Sequence, residues 1–140
     1  MGATVDADMV VAVNAPDDIV AARQAGHDLA SELGFSLTDV TMIATAISEL
    51  ARNITSYAGV GEVRLLIEDR EGRKALIVQA ADNGPGIADI PRALEDGYST
   101  GMGLGLGLPG ARRLMDRLEV QSEVGKGTLI EMWKWVPPDA

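Results

Sequence analysis

Val63-Arg64-Leu65-Leu66-Ile67 and Ala75-Leu76-Ile77-Val78-Gln79-Ala80 are short apolar runs, separated by the polar stretch from Glu68 to Lys74 with Gly72 near its centre. This pattern predicts two antiparallel strands joined as a hairpin. A second hairpin is predicted near the end of the chain, from Glu119-Val120-Gln121-Ser122-Glu123 through the turn Gly125-Lys126-Gly127 to Thr128–Val136, where Pro137-Pro138 stops it. Upstream, Met9 to Val13 reads as a further strand, punctuated by Asn14-Ala15-Pro16. A helix follows, with Pro16 in its first turn and Asp17 and Asp18 at its positive end. Its inner stripe is Ile19, Ala22, Gly26, Leu29, Ala30 and Leu33, and Gly34 closes it. Ser36, three positions before Asp39, approximates a capping box for a second helix, whose Val40, Ile43, Ile47, Leu50, Ala51 and Ile54 recur at helical spacing to about Tyr57. A third helix is predicted with Leu108, Ala111, Leu114, Met115 and Leu118 inward and Arg112, Arg113, Asp116 and Arg117 outward. Between the hairpin and this helix lies a long connection with only a weak helical signal from Ile90 to Glu95, the kind of segment that serves as a lid or binding loop. The order β-α-α-β-β-loop-α-β-β predicts the α/β class: a two-layer α/β sandwich, its mixed, mostly antiparallel sheet covered on one face by three helices.

Composition narrows the function. At 140 residues the chain has the size of a single domain, residues 1–140, and 46% hydrophobic with 24% charged residues is a globular balance. With 12 Lys+Arg against 21 Asp+Glu, the net charge of −9 repels phosphate backbones and anionic lipid, which argues against nucleic-acid and membrane partners. No apolar run has the length of a membrane span and the acidic start lacks a signal peptide's basic region, so the expected location is the cytoplasm. The absence of cysteine excludes disulfides and thiolate chemistry, and a single histidine excludes an imidazole cluster.

Three constellations carry chemistry. Glu49 and Asn53, four apart at the border of the second helix's apolar stripe, share one face. A carboxylate there can polarise a hydroxyl, and an amide oxygen can take a hard cation such as Mg²⁺; taken alone, the pair is more commonly a solvated helix edge. Asp82-Asn83-Gly84-Pro85-Gly86 leaves a predicted strand directly, so Asp82 is placed to accept from an exocyclic amine such as adenine's, although the same residues are ordinary turn chemistry. Gly101-Met102-Gly103-Leu104-Gly105-Leu106-Gly107-Leu108-Pro109-Gly110 runs into the third helix, where glycine backbone N–H groups and the helix dipole favour an anion. No Gly-Lys-Ser/Thr follows, so this is not a Walker loop. The hydroxyl of Thr128 in Gly125-Lys126-Gly127-Thr128 is within reach of a phosphate in this reading, although the same residues are ordinary hairpin chemistry. His27 has no attendant acid pattern and receives no role. Trp133 and Trp135 share a strand face suited to packing.

Taken in order, Ser48-Glu49-Leu50-Ala51-Arg52-Asn53, Asp82-Asn83-Gly84-Pro85-Gly86-Ile87, Gly101-Met102-Gly103-Leu104-Gly105-Leu106 and Gly125-Lys126-Gly127-Thr128 resemble the N, G1, G2 and G3 boxes of the GHKL (Bergerat-fold) ATPase/kinase superfamily. The resemblance implies a two-layer sandwich binding ATP under a mobile lid, here about residues 88–102. It makes Asn53 the Mg²⁺ ligand and Glu49 the general base or polarising carboxylate. Asp82 would receive the adenine amine in a pocket shaped by Gly84 and Gly86. The backbone around Gly101, Gly103, Gly105 and Gly107 would hold the triphosphate, helped by Thr128.

Only about fifteen residues precede the first helix, which argues against a sensor histidine kinase with its phosphoacceptor segment, and no transducer domain of the topoisomerase, chaperone or mismatch-repair kind is expected. Within the superfamily, Glu95-Asp96-Gly97-Tyr98-Ser99-Thr100-Gly101 and Leu106–Asp116 are similar to the switch kinases of bacterial partner-switching modules. Membership there implies a serine/threonine kinase that phosphorylates STAS-domain stressosome proteins of the RsbS and RsbR types. Once released, it activates a PP2C-type phosphatase of the RsbU type. The alternative is an anti-sigma factor kinase, which binds a sigma factor and phosphorylates an anti-anti-sigma factor.

Overall fold

The computed structural model describes residues 8–87 and 107–138. Its elements follow the expected order: β1 (Asp8–Val13), α1 (Pro16–Glu32), α2 (Leu37–Asn53), a π-helical turn (Ile54–Ala58), β2 (Gly61–Arg70), β3 (Arg73–Asp82), α3 (Gly107–Leu114), β4 (Arg117–Glu123) and β5 (Gly127–Trp135). The five described strands form one sheet in the order β1-β2-β3-β5-β4. The sequence allowed a mixed sheet; all four described pairings are antiparallel, because the return through α3 and β4 brings β5 back against β3 in the opposite sense.

The helix ends have local causes. Asp18 in the first turn of α1 reaches back to accept from the backbone N–H of Asn14 and Ala15 at 2.8 and 3.2 Å. The Ser36 hydroxyl caps α2 by accepting from the N–H of Asp39 at 3.1 Å. Beyond Asn53 the helix widens: the N–H of Gly59 donates to the carbonyl of Ile54, five residues back, at 2.8 Å. The expected helical end near Tyr57 therefore holds, with a π-turn as its last part.

Two boundaries differ from the sequence reading. The first hairpin is tighter, since β2 and β3 run to Arg70 and Arg73 and only Glu71-Gly72 turns, both at positive φ of 53° and 79°. The third helix is shorter, ending at Leu114, so Leu118 lies on β4 instead. Arg117 to Glu123 alternate exposed and half-buried residues at the strand period, and this wins over the helical reading of Leu118. The exit is pinned by Asp116, whose N–H donates to the carbonyl of Trp133 at 3.0 Å and whose carboxylate accepts the N–H of Trp135 at 2.8 Å. Lys134 donates to the last-turn carbonyl of Leu114 at 3.2 Å.

The helices cover one face of the sheet. Ile43, Ile47 and Leu50 of α2 pack in one cluster with Val63, Leu65, Leu76, Val78, Ile130 and Met132 from the strands. Each such fully buried aliphatic side chain contributes roughly 1.5–3 kcal/mol of transfer free energy. The opposite face carries a smaller cluster of Leu66, Ala75, Ile77 and Trp133, with Trp135 against it. Here Arg70 lies 4.6 Å and Arg117 5.6 Å from the Trp133 ring centroid, and Arg73 stands 4.8 Å from that of Trp135. Among the described residues no helix is long and apolar enough to cross a membrane.

Candidate functional site

The described motif residues form two linked groups: Glu49 of α2 with Gly107 at the start of α3, and Asp82 to Gly86 with Thr128 and the π-turn where β3 ends and β5 begins. Glu49 is buried, 7% exposed, on the inner half of α2. Both of its oxygens are engaged: Oε1 accepts from Nη1 of Arg52 at 2.7 Å, and Oε2 accepts the backbone N–H of Gly107 at 2.8 Å. The carboxylate thus sits at the N-terminus of α3, where the helix dipole favours negative charge. This bond joins the first box to the end of the glycine-rich run. It also commits the Gly107 N–H, assigned to phosphate in the sequence reading, to a protein carboxylate. Asn53 is half-buried at the transition from α-helix to π-turn and makes no capping bond with its side chain.

Asp82 closes β3, in register with Gly61 on one side and Thr128 on the other. Its Oδ1 accepts the N–H of Gly84 at 2.9 Å, which leaves Oδ2 without a described donor. Gly84 lies against the π-turn: a Cβ built on it would meet the Cβ of Ala58 at 2.7 Å, so any side chain there collides with the α2 extension. Gly86 has φ of +80°, and a Cβ on it would strike the carbonyl oxygen of Glu123. The G1 turn and the second hairpin are bonded as well as packed, since the N–H of Gly125 donates to the carbonyl of Pro85 at 2.8 Å.

Thr128 takes part in a network that sequence reading missed. The Ser122 hydroxyl accepts the N–H of Ile87 at 2.7 Å, donates to the carbonyl of Gly127 at 3.0 Å and lies 2.8 Å from the Thr128 hydroxyl. Ser122 has one proton. With that proton on Gly127, Thr128 is the donor in the pair and its own hydrogen points at Ser122. The sequence signal for Ser122 was its position opposite Thr128 across the predicted hairpin. Arg52 was equally legible in hindsight, three residues beyond Glu49 on the same helix face.

The structure therefore links Glu49 to Gly107, Asp82 to Thr128, Gly84 to the turn following Asn53, and Gly86 to the second hairpin. Gly101, Gly103 and Gly105, the weak helix at 90–95 and the expected lid at 88–102 lie outside the described residues. His27, given no role, is half-buried with its Nδ1 3.6 Å from Asp28. Among the described residues no three His, Asp or Glu side chains gather into a metal cage.

Residues 38–138 match the family of histidine kinase-, DNA gyrase B- and HSP90-like ATPases, and the chain belongs to that family. It is the superfamily that the four boxes resemble. Within it, the serine/threonine-protein kinase RsbT of Bacillus subtilis is 53% identical over 119 residues, covering 85% of this chain and 90% of that protein. An anti-sigma F factor of Caldanaerobacter subterraneus is 30% identical over 123 residues, covering 82% of this chain and 83% of the relative. The crystal structure of the RsbU and RsbW domains of Rv1364c from Mycobacterium tuberculosis superposes with a TM-score of 0.66 at 16% identity. That match covers 94% of this chain and 33% of the longer one, and it shows the fold.

Proposed function

We propose that this chain is an ATP- and Mg²⁺-dependent protein serine/threonine kinase of the RsbT type, acting in a partner-switching stress pathway. Its substrates are STAS-domain proteins of the RsbS and RsbR types, and after release from them it activates a PP2C-type phosphatase of the RsbU type. The observation that carries the reading is the Glu49–Gly107 hydrogen bond, which ties the carboxylate of the first box to the end of the glycine-rich run in a chain 53% identical to a protein kinase.

Asn53 is half-buried and its side chain makes no capping bond, so its amide would hold a divalent ion together with the nucleotide's phosphates. That division suits Mg²⁺, which keeps much of its hydration, and the ion supplies charge neutralisation on the phosphates. Asp82 uses one oxygen to fix its own turn and offers the other to the adenine amine, in a pocket bounded by Gly84 and Gly86. Gly101, Gly103 and Gly105 supply the phosphate-facing backbone in this reading, while the N–H of Gly107 is held by Glu49. Thr128 gives its hydrogen to Ser122, so it holds the rim through that residue and does not donate to a phosphate.

Glu49 orients the acceptor hydroxyl. In the transfer the acceptor oxygen bonds to the γ-phosphorus, the bond from that phosphorus to the bridging oxygen breaks, ADP leaves with the electron pair, and the hydroxyl proton passes to Glu49 or solvent. Because the transition state is largely dissociative, orientation matters more than basicity, and an arginine-paired carboxylate is adequate.

Incubation with a STAS-domain antagonist, labelled ATP and Mg²⁺ tests the proposal: label is expected on a serine or threonine of the partner. Stable label on His27 overturns it. Glu49→Ala is expected to slow transfer by about a hundredfold or more with ATP binding largely kept. The 30% identity to an anti-sigma F factor favours a second reading, sigma-factor binding with phosphorylation of an anti-anti-sigma factor. A pull-down with a phosphatase and a sigma factor offered together separates the two readings.

A further inference from the structure

Arg52 lies in the same box as Glu49 and Asn53, yet neither the adenine contact nor the metal nor the phosphate cradle uses it. Its Nη1 donates to Glu49 Oε1 at 2.7 Å, while the opposite oxygen takes the Gly107 N–H at 2.8 Å. The Glu49 side chain is 8% exposed and that of Arg52 is 39% exposed, so the guanidinium closes the outer side of a buried anion. A glutamate's last torsion is broad, and one donor leaves the carboxyl plane free to turn. Two donors from different elements, one on each oxygen, fix it.

We infer that Arg52 is a positioning residue for phosphoryl transfer that acts through Glu49, holding its carboxylate in the one orientation that also receives the Gly107 N–H. This rests on the reading of Glu49 as the group that orients the acceptor hydroxyl. With the guanidinium removed, Glu49 keeps its α3 contact but can turn about its last bond, and a small angular error at the acceptor oxygen is costly to the rate. Since Arg52 touches none of the reacting atoms, its contribution must disappear once Glu49 is gone.

A kinetic double-mutant cycle on the full chain tests this, using Arg52→Gln, Glu49→Ala, the double variant and Arg52→Lys with a STAS-domain partner, ATP and Mg²⁺. Arg52→Gln is expected to lower kcat about 10- to 100-fold while KM for ATP moves less than about threefold. Arg52→Lys, which keeps the charge and one donor, restores part of the loss. On the Glu49→Ala background Arg52→Gln costs nothing further.

Equal losses in both backgrounds overturn the inference, as does an unchanged kcat. A raised KM with kcat preserved also overturns it, by making Arg52 a nucleotide contact. If circular dichroism finds Arg52→Gln unfolded, Arg52→Lys takes its place in the cycle, with a smaller kcat loss expected and again none on the Glu49→Ala background. A chain that transfers phosphate but gives an additive cycle refutes the role of Arg52 alone. A chain that transfers none refutes the reading of Glu49 and the positioning role with it.

Discussion

The two ends of β3 treat their polar groups in opposite ways. At the Arg73 end, side chains satisfy one another. Arg70 donates to Glu68 at 3.1 Å and reaches along the sheet to Glu131 at 3.1 Å, and three arginines lie on two tryptophans. Burial alone would lower the pKa of Arg70, but its hydrogen bonds and charge pairing with Glu131 and Glu68 prevail and raise it above the ordinary arginine value. At the Asp82 end, the backbone is tightly pinned while Asp82 Oδ2 and the Asn53 amide keep capacity for a ligand. The lesson is that charge density alone does not mark a site. What marks the proposed site is polar capacity left open beside a hydrogen-bonded backbone.

Substitutions at the two ends should therefore separate activity from stability. The largest effect is expected from Asn53→Ala, with phosphotransfer down on the order of a hundredfold in a Mg²⁺-dependent assay and an unchanged melting curve. Asp82→Asn comes next: calorimetry should register ATP affinity about tenfold weaker, since an amide presents one acceptor where the carboxylate presents two and the Gly84 N–H already holds Oδ1. Arg70→Ala reverses the pattern, costing about 1–2 kcal/mol of stability in a denaturant titration while transfer is unaffected, because Glu68 and Glu131 lose their shared cation and Trp133 its cover. Arg73→Ala should be smallest, below about 0.5 kcal/mol, as an exposed cation on a half-buried ring. A loss of transfer in Arg70→Ala with stability kept would break the comparison.

The fold was legible where one period dominated. The stripe of α2 and the Ser36 cap read directly, as did the two hairpins. Residues 108–118 were misleading because Leu114, Met115 and Leu118 fit a helix while Leu118 and Val120 also fit a strand, and only the contacts of Asp116 with β5 decide between them. Glu68 to Lys74 looked like a loop because polar residues there face solvent or the open sheet face, where period-two apolarity is absent. At the proposed site, Glu49, Asn53 and Asp82 were singled out as candidates by box order. The hydroxyl exchange between Ser122 and Thr128 and the capture of the Gly107 N–H by Glu49 were not, because they depend on which lone pair faces which donor across elements far apart in sequence.

The register of the sheet also bears on the order in which the molecule is assembled. The β2–β3 and β4–β5 hairpins close over short turns, whereas β3 meets β5 only after the whole intervening chain has been drawn back. Asp82 faces Thr128 across that long-range ladder, so the two hairpins are expected to close before these residues meet. On the proposed reading, a nucleotide bound at this seam is expected to slow unfolding more than it speeds folding, lengthening the lifetime of the native state.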